Sequence, residues 1–164
     1  MESLLPAVFK LLDKNKIALD EIKTVAVSVG PGSFTGVRIG LATAKGIGMG
    51  GNVEVCGINT LEAIALAAES KGHVKSLLPA GRDAFFVQDF DFSKPKNARE
   101  LTPPTLQTLK DFLLDVNTNS NITIISDGYI NQILSQYKLP SKLLIQSENM
   151  ARYVGLSALE TRNS

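Results

Sequence analysis

Three sets of residues in this chain could do chemistry. The first is the run VGPGSFTGVRIG, Val29 to Gly40, glycine-punctuated and followed by a helical pattern. Such a loop can cradle phosphate on backbone amides at a helix start. The second is the scattered titratable groups, the single histidine His73 and the lone carboxylates Asp83, Asp89 and Asp91. Either residue type can serve in acid–base catalysis. The third is the single cysteine, Cys56.

Counting residues tests the phosphate readings. A Walker A loop starting at Gly30 needs glycine at position 35, then Lys-Ser/Thr. Thr35 stands there, and Gly36 is followed by Val37-Arg38. A dinucleotide fingerprint beginning Gly30-x-Gly32 also needs its third glycine at 35. A nucleophile elbow fails because Ser33 is flanked directly by Gly32 and Phe34. Gly30, Pro31, Gly32, Ser33, Thr35 and Gly36 therefore leave three readings open. They can form a strand-to-helix turn with Ser33 as cap, an anion or nucleotide contact, or the start of a surface for another macromolecule.

The other two sets lead away from catalysis. His73 sits in Ser70-Lys71-Gly72-His73-Val74, a polar turn that predicts a surface residue. Asp83, Asp89 and Asp91 read as turn formers and solvated charges. Cys56 lies in the apolar run Val53–Ile58, which predicts a buried, reduced thiol. One histidine and one cysteine make no metal cluster at a recognised spacing. No nucleophile, base and orienter come together, so no catalytic residue and no metal site are expected.

The elements around these residues alternate between strand and helix, which predicts an α/β fold. Leu4, Leu5, Val8, Leu11 and Leu12 recur at helical spacing, giving a first helix over 2–13. Lys23–Val29 is β-branched and nearly all apolar, the pattern of a strand buried on both faces. A long helix follows over 33–49, then a strand at 53–58. Asn59 and Glu62 have capping-box spacing at the head of a helix reaching about 70. Strands at 74–78 and 84–90 form a hairpin across Ala80–Asp83. Residues 91–99 read as a polar loop. A helix is expected at 105–115, a strand at 121–126, a helix at 129–136, a strand at 143–145 and a last helix from Ser147–Asn149 to Glu160. Residues 1–70 and 71–164 are expected to form two lobes.

The long helix carries a pattern of its own. Gly36, Gly40, Ala44 and Gly48 recur every fourth residue, one stripe without bulk. Glycine costs roughly 1 kcal/mol against alanine in a helix interior, so something must approach that stripe closely, a sheet or another helix. Phe34, Val37, Leu41 and Lys45 offer neighbouring bulk, and Arg38 could supply a planar ion pair to a partner.

Whole-chain properties set limits. Of 164 residues, 44% are hydrophobic and 20% charged, as in an ordinary globular protein. A net charge of +1 gives no general attraction to nucleic acid, so any RNA contact is local or made through a partner. No apolar run nears the ~20 residues of a membrane span, and no leader opens the chain, so the expected location is the cytoplasm.

Val27–Gly40, followed by Ala42 and Lys45-Gly46, resembles the signature segment of the TsaB family. These are bacterial tRNA threonylcarbamoyladenosine biosynthesis proteins, long grouped with glycoprotease-like proteins. Glu2-x-Leu4-Leu5-Pro6, Asn59-Thr60-Leu61-Glu62-Ala63 and Glu148-Asn149-Met150-Ala151 extend the likeness. It implies an actin-like, sugar-kinase-like ATPase fold of two lobes. It also implies a non-catalytic subunit that pairs with the catalytic TsaD and the ATPase TsaE, meeting tRNA only through that complex. The family's contact surface is its first two helices, against TsaD or a second TsaB. Here Leu4, Leu5 and Val8 of the first helix, with Phe34, Val37, Arg38, Leu41 and Lys45 of the second, are the expected face.

The chain departs from the family pattern in three places. It opens at Met1, where a histidine-serine pair would follow an Ile-Asp-Thr strand and two more strands. The N-terminal lobe is thus expected to be incomplete, and no cofactor is expected beyond weak nucleotide binding. The family's Asp-Ala-Arg-x-x-Glu-Val-Tyr hairpin reads Pro79-Ala80-Gly81-Arg82-Asp83-Ala84-Phe85-Phe86. The Pro-x-Tyr-Leu-Arg ending does not occur. The alternatives are a glycoprotease-like or nucleotide-dependent transferase enzyme, or a degraded homologue without activity.

Overall fold

The computed structural model describes residues 4–51, 53–94, 97–118, 121–145 and 149–162. Helix α1 (Leu4–Asn15) leads through a 3-10 turn to strand β1 (Thr24–Gly30), helix α2 (Phe34–Gly51), strand β2 (Glu54–Asn59) and helix α3 (Thr60–Leu66). Strands β3 (His73–Pro79), β4 (Ala84–Lys94), β5 (Asn97–Glu100) and β6 (Thr105–Thr108) follow. Helix α4 (Leu109–Thr118), strand β7 (Thr123–Ser126), helix α5 (Gly128–Leu134), strand β8 (Lys142–Ile145) and helix α6 (Met150–Arg162) complete the chain.

The strands form two sheets. β1 and β2 pair in parallel, Thr24 opposite Glu54 and Ser28 opposite Ile58. The larger sheet runs β5-β4-β3-β7-β8, with β6 also on β4. β3 and β4 are the expected hairpin, closed by the Ala80 amide donating to the Ala84 carbonyl at 2.8 Å and by Gly81 at φ 127°. Both faces of the larger sheet are covered. Leu77, Phe85, Phe112, Val116 and Ile130 join β3, β4, α4 and α5 on one side. Leu61, Ile64, Val74 and Phe90 join α3 to β3 and β4 on the other. α6 returns to the smaller sheet, where Tyr153 and Ala158 meet Ile58 and Ala63.

Several expectations need correction. Residues 91–99 are not a loop, because β4 continues to Lys94 and β5 pairs back on it, Asp91 opposite Arg99. Polar and apolar residues alternate there, with Phe92 turned into the core at 5% exposure. Residues 105–108 are strand, not helix, pairing with Ala84–Val87. Pro103-Pro104 favours extended chain, and α4 begins only at Leu109, where the Thr108 hydroxyl accepts from the Asp111 amide at 3.2 Å. α3 stops at Leu66 because Ala67 and Ala68 turn, and Glu69 sits at φ 46°. Asn59 caps α3 by accepting from the Leu61 amide at 2.9 Å, but Glu62 does not close a capping box. Its carboxylate accepts from Ser157 on α6 instead. α6 begins at Met150, and Ser147 and Glu148 lie outside the described residues, as do Met1, Glu2 and Ser3 of the first motif.

Asp89, read as a solvated charge, and His73, read as a surface residue, are placed differently. Lys75, 2% exposed, sits opposite Asp89 across the hairpin. Its ammonium lies 2.7 Å from Asp89 and 2.8 Å from Asp115 of α4. His73 is half-buried with Nε2 2.5 Å from Asp89, so neither is a free surface group. A charge this deep persists only when paired and hydrogen-bonded. Lys75→Met should therefore cost ~3–5 kcal/mol, with two carboxylates left facing each other. Adding Asp89→Leu should recover part of the loss, as measured by chemical denaturation.

β1 is not buried on both faces. Only Val27 is buried, Val29 is 48% exposed, and Cys56 on β2 is half-buried. The reason is that β2 is the one strand paired to β1 among the described residues. A groove of about 450 Å³ runs between β1 and α6, lined by Thr24, Ala26, Gly155, Ala158 and Leu159. An apolar strand without a second neighbour weakens the domain and invites pairing with another chain. The full chain should melt at a low midpoint that climbs with protein concentration. A high midpoint independent of concentration would refute this.

Candidate partner-binding face

The site begins at the loop between β1 and α2. Gly30 takes φ 110°, a backbone shape that side chains resist, and the Gly30–Pro31 peptide is cis. Ser33 then caps α2 as expected. Its hydroxyl accepts from the Gly36 amide at 3.3 Å, and its carbonyl from the Val37 amide at 2.9 Å. Gly36 fits closely there, since a Cβ on it would lie 3.4 Å from the Ser33 hydroxyl. Thr35 is exposed on the first turn.

The small-residue stripe faces this chain's own sheet. A Cβ on Gly40 would lie 3.6 Å from Val27 of β1. One on Gly48 would come within 2.6 Å of Val55 and 3.0 Å of the Val53 carbonyl. Ala44, between them, is 3% exposed. Of the two neighbours the spacing allowed, it is the sheet that approaches these residues.

That contact turns the opposite side of α2 outward. Positions two residues apart differ by about 200° around a helix. The row opposite the stripe is Phe34, Arg38, Ala42, Gly46 and Gly50. Phe34 is 68% exposed, with the Arg38 guanidinium 3.7 Å from its ring centroid, a cation–π pair on the surface. Arg38 is thus stacked, with its charge still outward. The adjacent row holds Val37 and Leu41, both half-buried, exposed Lys45, and Met49 at 90% exposure.

α1 lies over the small end of the outer row. None of its residues is buried, and Leu4, Leu5, Phe9 and Leu11 are all exposed. Leu5 and Phe9 border a groove of about 510 Å³ with Leu19, Ala42, Gly46 and Gly50. The structure thus brings Leu5 to α2, while half-buried Val8 and exposed Leu4 extend the apolar character of α1. Phe9, Ala42, Gly46 and Met49 belong to this face and were missed. For Ala42 and Gly46 the signal was present in the second small file, Ala42, Gly46 and Gly50.

The remaining chemical groups are dispersed. Among the described residues, no three His, Cys, Asp or Glu side chains are placed to hold a metal ion. Asp83 is exposed beside α4. The Ser93 hydroxyl and amide, with Arg99, hold the Asp91 carboxyl below its ordinary pKa. Tyr153 donates to Glu69 at 3.0 Å, and this bond with burial pushes its phenol above the ordinary value. A polar seam joins the two sheets. Asn59 donates to the fully buried Gln88 at 2.7 Å, and Gln88 donates to the Thr102 carbonyl at 3.0 Å. Ser28 and Thr60 share a hydroxyl–hydroxyl bond beside it.

The family model for TsaD, tRNA N6-adenosine threonylcarbamoyltransferase, matches residues 1–158. The chain belongs to this family. Several of the relatives it matches are TsaB proteins. It is 37% identical over 79 residues to the tRNA threonylcarbamoyladenosine biosynthesis protein TsaB of Escherichia coli, covering 48% of this chain and 34% of that protein. Over 63 residues it is 48% identical to the TsaB of Buchnera aphidicola subsp. Baizongia pistaciae, covering 38% of this chain and 28% of that one. The matches thus span about a third of these relatives' length. The solved structure of YeaZ from Pseudomonas aeruginosa superposes at a TM-score of 0.76 with 18% identity, covering 98% of this chain and 76% of that one. The fold is the actin-like, sugar-kinase-like α/β fold.

The two small files on α2 give opposite expectations. Gly48→Ala should destabilise the domain by about 1–3 kcal/mol, because its methyl collides with Val55 and the Val53 carbonyl. Gly46→Ala should stabilise it by up to about 1 kcal/mol, since nothing lies within 4 Å of the added methyl. Paired denaturant titrations of the two variants check both signs.

Proposed function

We propose that this chain is a non-catalytic scaffold subunit in tRNA threonylcarbamoyladenosine biosynthesis, docking through α1 and the outer rows of α2 onto a TsaD-type catalytic subunit. The observation that carries the reading is the α1–α2 face. One side of α2 is sealed against its own sheet, while Phe34, Arg38 and Met49 stand outward beside a helix with no buried residue. Aromatic and arginine side chains surrounded by smaller apolar groups are the composition of an interface centre. The names of the TsaB relatives supply the pathway. The catalytic step then rests with the partner, and tRNA is met through the assembled complex. A TsaE-type ATPase and a second copy of this chain are further companions in this reading, and the cytoplasm is its compartment. No described helix is long and apolar enough to cross a membrane.

The test is binding of the full chain to a TsaD-type protein. Phe34→Ala and Arg38→Ala alter exposed side chains and should leave the melting midpoint in place. Each should weaken the complex by about ten- to a hundredfold. Complexes of unchanged affinity would remove the proposed face. Threonylcarbamoyl transfer by the chain without a partner would overturn the scaffold reading in favour of an enzyme.

A further inference from the structure

A cavity of about 420 Å³ lies between the end of α3, β4 and α6, away from the α1–α2 face. Its apolar wall is Phe92 and Tyr153, 5% and 7% exposed, with half-buried Leu156. Its polar wall carries both signs of charge, with Glu69 and Glu160 as the acids and Lys71 and Arg152 as the bases. Glu69, exposed in the turn that ends α3, accepts from the Tyr153 hydroxyl at 3.0 Å. Lys71 and Arg152 also line it, exposed, and neither forms a salt bridge among the described residues. The Arg152 guanidinium sits 5.6 Å from the Tyr153 ring centroid. The volume falls in the range of small-molecule sites.

We propose that this cavity binds a free α-amino acid with an apolar side chain. Its ammonium group meets Glu69, its carboxylate meets Arg152 with Lys71 alongside, and its side chain lies on Phe92, Tyr153 and Leu156. A lone anion of this size would sit against the Glu69 and Glu160 carboxylates, and a lone cation against Arg152 and Lys71. A zwitterion satisfies both signs at once, and a planar guanidinium suits a carboxylate.

The test titrates the full chain with L-phenylalanine, 3-phenylpropionate and phenethylamine by ligand-detected NMR, to about 20 mM for a ligand of this size. Saturable binding of L-phenylalanine is expected, with each single-charge analogue at least about tenfold weaker. Arg152→Ala and Glu69→Gln should each weaken L-phenylalanine by a similar factor without moving the melting midpoint. Phe34→Ala, on the distant α2 surface, should bind as the parent does. Absence of saturation, analogues as tight as L-phenylalanine, or variants that bind unchanged would overturn the site.

Discussion

Close seating of α2 on the β1–β2 pair is the constraint from which the rest of the N-terminal half follows. Gly40 rests over Val27 and Gly48 against Val55, with Ala44 sealed between them. A larger side chain at Gly48 would have to displace both a valine and a backbone carbonyl. The helix tolerates several glycines because the contact compensates for their cost in helix propensity. That seating fixes the rotation of α2 about its axis. Phe34 and Arg38 are then turned to solvent, and the smaller end of the same row is left for α1. The exposed surface of α2 is thus a consequence of how the opposite face is packed.

The glycine-rich loop serves the same arrangement. Gly30 turns the chain out of β1, and Ser33 satisfies amides at the head of α2. Both tasks are structural, and both set where the exposed aromatic begins. At the junction of the two sheets, Asn59, Gln88 and Thr102 form a continuous polar path through buried surroundings. Each member has a partner, which is the condition for keeping polar atoms in a core. α6 adds a second tie by packing on α3 and the smaller sheet. The position of the α1–α2 face relative to the larger sheet depends on these links.

Family membership and the packing of α2 support one another without being the same observation. The matched relatives align over about a third of their length, whereas the YeaZ superposition covers nearly all of this chain. Likeness of fold therefore extends well beyond the stretch over which residues match. The rest of the fold is kept with different residues, since a core accepts many apolar combinations of similar volume.

Local pattern alone determined the helices α1 and α2, the Ser33 and Asn59 caps, the β3–β4 hairpin and the small-residue stripe. In each of these the deciding forces act between residues a few positions apart. Only the tertiary structure decided that β4 runs on to Lys94, that β6 replaces the first turn of an expected helix, and that Glu62 turns to Ser157. It alone decided that Lys75 and Asp89 are buried together, and that β1, with its central-strand composition, stands at an edge. These outcomes depend on neighbours tens of residues away. A ladder partner, a charge partner or an uncovered edge leaves no periodic trace in the segment it governs.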